Sequence, residues 1–298
     1  MEKISKGVLY AITSALCFSL WAIFSTLSFN YYNPFTTVVL WFGFSAIVSF
    51  LIIVFSGRLK EYKESFLKYR NILLITTLLN SASVITSFYA LDLLGPSLTG
   101  FLSRIYLILI VLSGIIFLNE KFNILEALSA LVVILGVLLI SYSKGEYIVL
   151  GIIIIIIHSL LIAAARTILK SKLDPVDSMF LVNYRAIAVT IYGLIFALII
   201  GKFNLFISKG LLFATIPSIF SVILGHLFVY KAYKLIEMSK VELITALQPF
   251  IIAALSFLVF REVLTVFQFT GGIIIVIGVI ALIYARKKAC KEENKKNC

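Results

Sequence analysis

Apolar residues run along this chain in ten long blocks separated by short polar breaks: 7–28, 35–56, 71–91, 97–118, 124–142, 147–168, 178–200, 211–230, 241–260 and 266–285. A helix needs about 20 such residues to cross the hydrocarbon core of a bilayer. The pattern therefore predicts an all-α membrane protein with ten transmembrane helices. No break is long enough to fold into a domain, and no GxxxxGK phosphate cradle occurs, which excludes a primary pump carrying its own nucleotide-binding unit. The first block is read as a retained helix. It is too long for a cleavable signal, and no small-residue cleavage site precedes Asn30-Tyr31-Tyr32.

Composition agrees with lipid as the solvent. Of 298 residues, 61% are hydrophobic and 13% charged, with a net charge of +12. The location of the basic residues carries more than their number. With the N-terminus placed in the cytoplasm, nineteen lysines and arginines fall on the inner side and four, Lys144, Lys202, Lys209 and Arg261, on the outer side. That bias orients both termini inward. It turns the basic excess toward anionic membrane lipid and leaves no case for nucleic acid. The three cysteines, Cys17, Cys290 and Cys298, form neither a disulfide framework nor a metal spacing.

The chain repeats itself. Shifted by 142 residues, 88–140 overlays 230–282 without a gap, aligning Ala90 with Ala232, Ser97 with Ser239, Glu120 with Glu262 and Gly136 with Gly278. Asn123-x-x-Glu126 meets Thr265-x-x-Gln268, and both are helix-starting capping boxes. Ser129 and Gly136 meet Gly271 and Gly278, a small-residue face that lets another helix come close. Asn33-Pro34 and Asp174-Pro175 precede spans two and seven. Five spans per unit is an odd number, so the second unit enters the membrane inverted. The expected division is 1–143, 144–285 and a basic cytoplasmic tail, 286–298. Inverted repeats characterise secondary transporters.

Phe88-Tyr89-Ala90-Leu91, the Asn119-Glu120-Lys121 and Phe260-Arg261-Glu262 joints, the glycines of spans five and ten, and Pro249 carry a resemblance. In their order and spacing the chain resembles the drug/metabolite transporter superfamily, EamA type, over about 7–285. The resemblance implies two five-helix units around a central cavity lined by spans three, four, eight and nine with help from one and six. Leu107 stands where a proline is common in span four. Phe44 stands where the first unit often has an arginine, which the second unit keeps as Arg185.

Candidate chemistry lies in the polar groups far from span ends, because such groups are costly in hydrocarbon. Thr99, Ser103 and Tyr106 share one face of span four. Glu242, Thr245 and Gln248 follow a similar stripe in span nine, where the shift maps Ser103 onto Thr245 and Tyr106 onto Gln248. Both stripes suit a substrate-lining surface or hydrogen-bonded helix contacts. Asn80, Ser83 and Ser87 form a third such face in span three. His158 lies at the bilayer centre of span six and His226 in the inner half of span eight. Either could carry a proton, with His158 the nearer to the midplane. Arg104, deep in span four, either reaches the outer headgroups or faces the cavity and binds a carboxylate or phosphate with its fork of donors. Arg166 is read as an inner-headgroup anchor, Arg185 as a structural arginine, and Glu120 and Glu262 as helix-dipole partners. Trp21 and Trp41 fit core packing better than substrate stacking.

These readings favour a secondary transporter in the cell (inner) membrane, moving a small polar or amphipathic metabolite without a cofactor or metal. An intramembrane enzyme acting on lipid or peptide would need a nucleophile and base, or a metal set, at one depth. Neither Gly95-Pro96-Ser97-Leu98 nor two histidines without an in-span aspartate supplies one. A receptor or scaffold fits poorly with the inverted repeat. Oligomeric state and substrate identity are not written in the chain.

Overall fold

The computed structural model describes residues 2–109, 124–141, 148–172, 176–236, 241 and 244–296. All regular structure among them is helical: α1 (Glu2–Phe29), α2 (Pro34–Phe55), α3 (Leu59–Leu102), α4 (Ile124–Ser141), α5 (Ile148–Lys172), α6 (Ser178–Ile199), α7 (Lys209–Ser218), a π-helical segment (Ile219–Gly225), α8 (His226–Leu235), α9 (Gln248–Phe260) and α10 (Val266–Lys296). Seven stretches among the described residues are long and apolar enough to cross a membrane, and the apolar helices Ile124–Ile140 and Gln248–Phe260 are shorter. Large apolar side chains such as Leu131, Leu135, Ile153, Ile195 and Leu258 lie exposed on the outer faces, as lipid contact requires.

The expected spans three and four are the two arms of α3, which follow each other without a loop over 44 residues, far more than one crossing needs. The chain changes direction at Gly95, with φ 73° and ψ 170°, followed by Pro96. A side chain is strained in that backbone region, and proline brings no N–H to continue the ladder. Thr99 Oγ1 spans the kink to the Ala90 carbonyl at 3.4 Å. Ser97 Oγ donates to Glu262 at 2.7 Å, and Ser256 donates to the same carboxylate. Glu262 thus ties the α3 kink to α9. It does not begin α10, which opens on the Thr265–Gln268 capping box with reciprocal bonds of 2.9 and 3.2 Å. Gly95→Ala is expected to cost about 1–3 kcal/mol, the usual cost of such backbone strain. An unchanged thermal midpoint in the purified variant would contradict this.

The helices pair across the chain. α1 packs on the π segment and α8, α2 on α6, the first arm of α3 on α5, and α4 on α10. The second arm of α3 meets α9, where Gly100 faces Ile252. Exchanging the two halves of the sequence maps each of these pairings onto itself or onto another. α4 and α10 come close enough for backbone to meet backbone. A Cβ on Gly136 would stand 2.7 Å from the Gly271 carbonyl oxygen, and one on Gly271 2.8 Å from that of Gly136. The small-residue face read from the sequence is therefore a backbone-to-backbone contact.

Caps set the ends. Asn33 accepts from the Thr36 N–H at 2.9 Å to start α2. Asp177 accepts from Met179 N at 2.8 Å to start α6. Asp174-Pro175, Glu120 and Asn123 lie outside the described residues. Trp41 is fully buried, with its Nε1 donating to Ser221 Oγ at 3.1 Å and its ring against Phe88, so it is core.

Candidate functional site

Three of the proposed polar faces meet inside the bundle, in two groups. In the first, Arg104 sits in the turn that closes α3. It is only 5% exposed, which decides against a side chain reaching headgroups. Its Nη2 donates to Gln248 Oε1 at 2.8 Å, at the first residue of α9. The bond joins one repeat to the other at the level where the 142-residue shift pairs their polar stripes. Two residues on, Tyr106 OH accepts from Arg166 Nη1 at 3.0 Å, and the guanidinium lies 4.6 Å from the tyrosine ring centroid. This corrects the reading of Arg166 as a headgroup anchor. α5 continues to Lys172, so Arg166 stands more than a turn inside the helix end and folds inward over Tyr106.

In the second group Asn80 Oδ1 accepts from Arg185 Nε at 2.8 Å. Arg185 Nη1 donates to Nε2 of His226, and its guanidinium carbon lies 5.3 Å from the Phe42 ring centroid. His226 Nδ1 lies 3.1 Å from the Val222 carbonyl, one of those in the π-helical segment. Arginine only donates, so Nε2 is the acceptor and Nδ1 carries the proton: this histidine is neutral. Tyr230 packs edge-on to the same ring, as does Phe18 of α1. A narrow cleft beside Arg185 is lined by Thr76, Thr77, Asn80, Tyr184 and Tyr230 with a few leucines.

His158 belongs between these groups. Its Nδ1 is 2.9 Å from both the carbonyl and the hydroxyl oxygen of Ser83, and Ser83 Oγ is 3.3 Å from the His158 carbonyl. The Nδ1 proton goes to the Ser83 carbonyl, which leaves Nε2 as an acceptor. Arg166 and Arg185 both lie within electrostatic reach of His158 and His226.

Not every expected residue joins. Ser87 bonds back to the Val84 carbonyl at 2.8 Å and Ser103 to that of Gly100 at 3.0 Å, while Thr99 serves the kink. These hydroxyls satisfy their own helix. Thr245 is buried beside the start of α9. Glu242 lies outside the described residues. The sequence reading took His226 only as a possible proton carrier and left out Arg166, Arg185 and Tyr230 as site residues. The signal was present in the two arginines, since an intramembrane charge is a functional candidate by default.

The model of the EamA-like transporter family matches the chain twice, over residues 5–142 and 149–284. The chain belongs to the EamA-like transporter family. It is an integral, multi-pass membrane protein of a family of transporters. Twenty-eight solved chains match this EamA-like protein. One of them, a protein solved as a crystal structure, has a TM-score of 0.69 and covers 95% of this chain and 98% of its own at 16% identity. That likeness shows a shared fold alone. No curated protein matches it.

Proposed function

We propose that this EamA-like protein is a secondary transporter moving a small polar or amphipathic metabolite by alternating access between two inverted five-helix units, residues 1–143 and 144–285. The observation that carries the reading is the Arg104–Gln248 bond, a polar contact between the two units inside an apolar bundle. The symmetric helix pairing supports it: each half offers the other the same partners, so a rocking motion in one direction has an equivalent in the other. Arg104, Gln248 and Tyr106, with Asn80, Ser83 and His158 further in, line the path. Thr245 extends it on the span-nine side, and Thr99, Ser103 and Ser87 hold its walls.

The reading requires ten crossings, both termini in the cytoplasm and, for a carrier of this kind, the cell membrane. A reporter active only in the cytoplasm is expected to work when fused at Lys63, Lys172 or the tail and to fail at Lys144 or Lys209. Activity at Lys209 would overturn the inverted arrangement. A thermal-shift screen against a metabolite panel selects the substrates for uptake assays, because a ligand of the folded state raises its stability.

A further inference from the structure

We infer that Arg185, with Asn80 and Tyr230, forms a binding station for a carboxylate or phosphate group, and that filling it is matched by uptake of one proton on His226. The inference takes its purpose from the transporter reading, but its test does not depend on transport.

A guanidinium keeps its charge wherever it is put. Arg185 holds that charge within the bundle, yet its partners are neutral: the Asn80 amide, the His226 imidazole and the face of Phe42. No carboxylate touches it among the described residues. Burying a charge against neutral acceptors is costly, and an anion would remove that cost with two parallel charge-assisted bonds. The cleft alongside has space for about one water, so an anion enters by displacing the neutral partners of Arg185. In that cleft the hydroxyls of Thr76, Thr77 and Tyr184 already donate to backbone carbonyls, which leaves Tyr230 as the donor for an oxygen that the arginine does not reach. The charge of Arg166 also acts on His226, Arg185 and Tyr230, so the field there favours an anion.

His226 links this station to protons through geometry. Its Nδ1–H is committed to the Val222 carbonyl, so Nε2 is the only position that can take a proton, and Arg185 occupies it. Among the described residues the charged groups within reach of His226 are Arg185 from α6 and Arg166 from α5, and Tyr230 of α8 packs against it. Both arginines oppose an imidazolium. An anion that takes the Arg185 donors removes the occupant of Nε2 and brings a negative charge beside it. A proton from the bulk solution, given up there by the buffer acid, then adds to the Nε2 lone pair, and no covalent bond other than the buffer's O–H or N–H is broken. One anion and one proton enter together, so the bundle gains no net charge. The sequence reading ranked His158 ahead of His226 for this task. The geometry favours His226, because His158 bonds to Ser83 and touches no arginine.

The test uses the purified full-length protein and reads apparent affinity from thermal-shift titrations. Acetate is the probe, with chloride at equal ionic strength as the control. Inorganic phosphate at about pH 8 separates a phosphate from a carboxylate preference. Acetate stays ionised between about pH 6 and pH 8, where histidine titrates. Acetate or phosphate is expected to stabilise the protein beyond chloride. For acetate, the apparent affinity should rise toward tenfold for each unit the pH falls, the slope of one proton bound per anion. Arg185→Gln should lose the effect, and Arg185→Lys should weaken it. His226→Gln should keep acetate binding and lose the pH slope. Absence of anion stabilisation, unchanged binding in Arg185→Gln or Arg185→Lys, or a slope that survives in His226→Gln would each overturn the inference. Acetate binding without uptake of any metabolite into vesicles would instead count against the transporter reading and leave this station standing.

Discussion

Arg104→Gln is expected to abolish transport at wild-type levels of protein in the membrane. Arg104 is buried at the end of α3, and its bond to Gln248 crosses from one repeat to the other. Hydrogen bonds to charged groups contribute about 1.5–3 kcal/mol, and roughly 1.4 kcal/mol is a tenfold change in rate. Glutamine keeps a polar tip but is too short to span the same gap, and it brings no charge for a carboxylate or phosphate. Arg104→Lys keeps the charge and loses the planar fork, so transport should fall about tenfold rather than vanish. Gln248→Leu tests the same bond from the other repeat and should resemble Arg104→Gln in uptake. Uptake of a labelled substrate, normalised to protein in the membrane, checks the series. Normal transport by Arg104→Gln would reduce the arginine to a packing residue and end the case for its contact with substrate.

The second large effect is on stability. Gly136→Leu should prevent recovery of folded protein, and Gly136→Ala should lower the thermal midpoint clearly. α4 and α10 meet through backbone at this point. The Cβ of residue 136 would lie 2.7 Å from the Gly271 carbonyl and 3.0 Å from the Ile275 nitrogen. Backbone cannot rotate away as a side chain can, so the helices must separate, and overpacking of this kind costs about 1–3 kcal/mol even for small groups. Gly278 faces Val133 and the Ser129 carbonyl in the same seam, so the separation would run along the whole contact. A monodisperse Gly136→Leu protein with an unchanged midpoint would contradict this account of the seam.

The seam was legible in the sequence because packing between membrane helices depends on side-chain size, and size is written residue by residue. The same holds for the Thr265–Gln268 box, whose chemistry is local. Legibility failed where a property belonged to the chain's path. Gly95-Pro96 was weighed only as a nucleophile turn and rejected, while its φ of 73° makes it the joint between two helical arms that follow without a loop. Nothing in 219–225 announced a π-helical segment, although Pro217 just upstream removes a backbone donor and disturbs the ladder. Arg166 was placed by its distance from a presumed helix end, and α5 runs further than that. Arg185 was taken as structural and His226 ranked second because sequence depth says nothing of azimuth. Only the packing of α6 and α8 on α3 and α1 turns the two side chains toward each other.

Counterflow in vesicles tests the central claim most directly. A single site alternately open to each side exchanges ligand faster when unlabelled substrate waits on the far side. Vesicles holding the purified protein and loaded with a substrate found in the thermal-shift screen should therefore take up the labelled compound faster than unloaded ones, and the stimulation should disappear in Arg104→Gln. Uptake no faster than in protein-free vesicles, with or without a loaded substrate, would contradict the account.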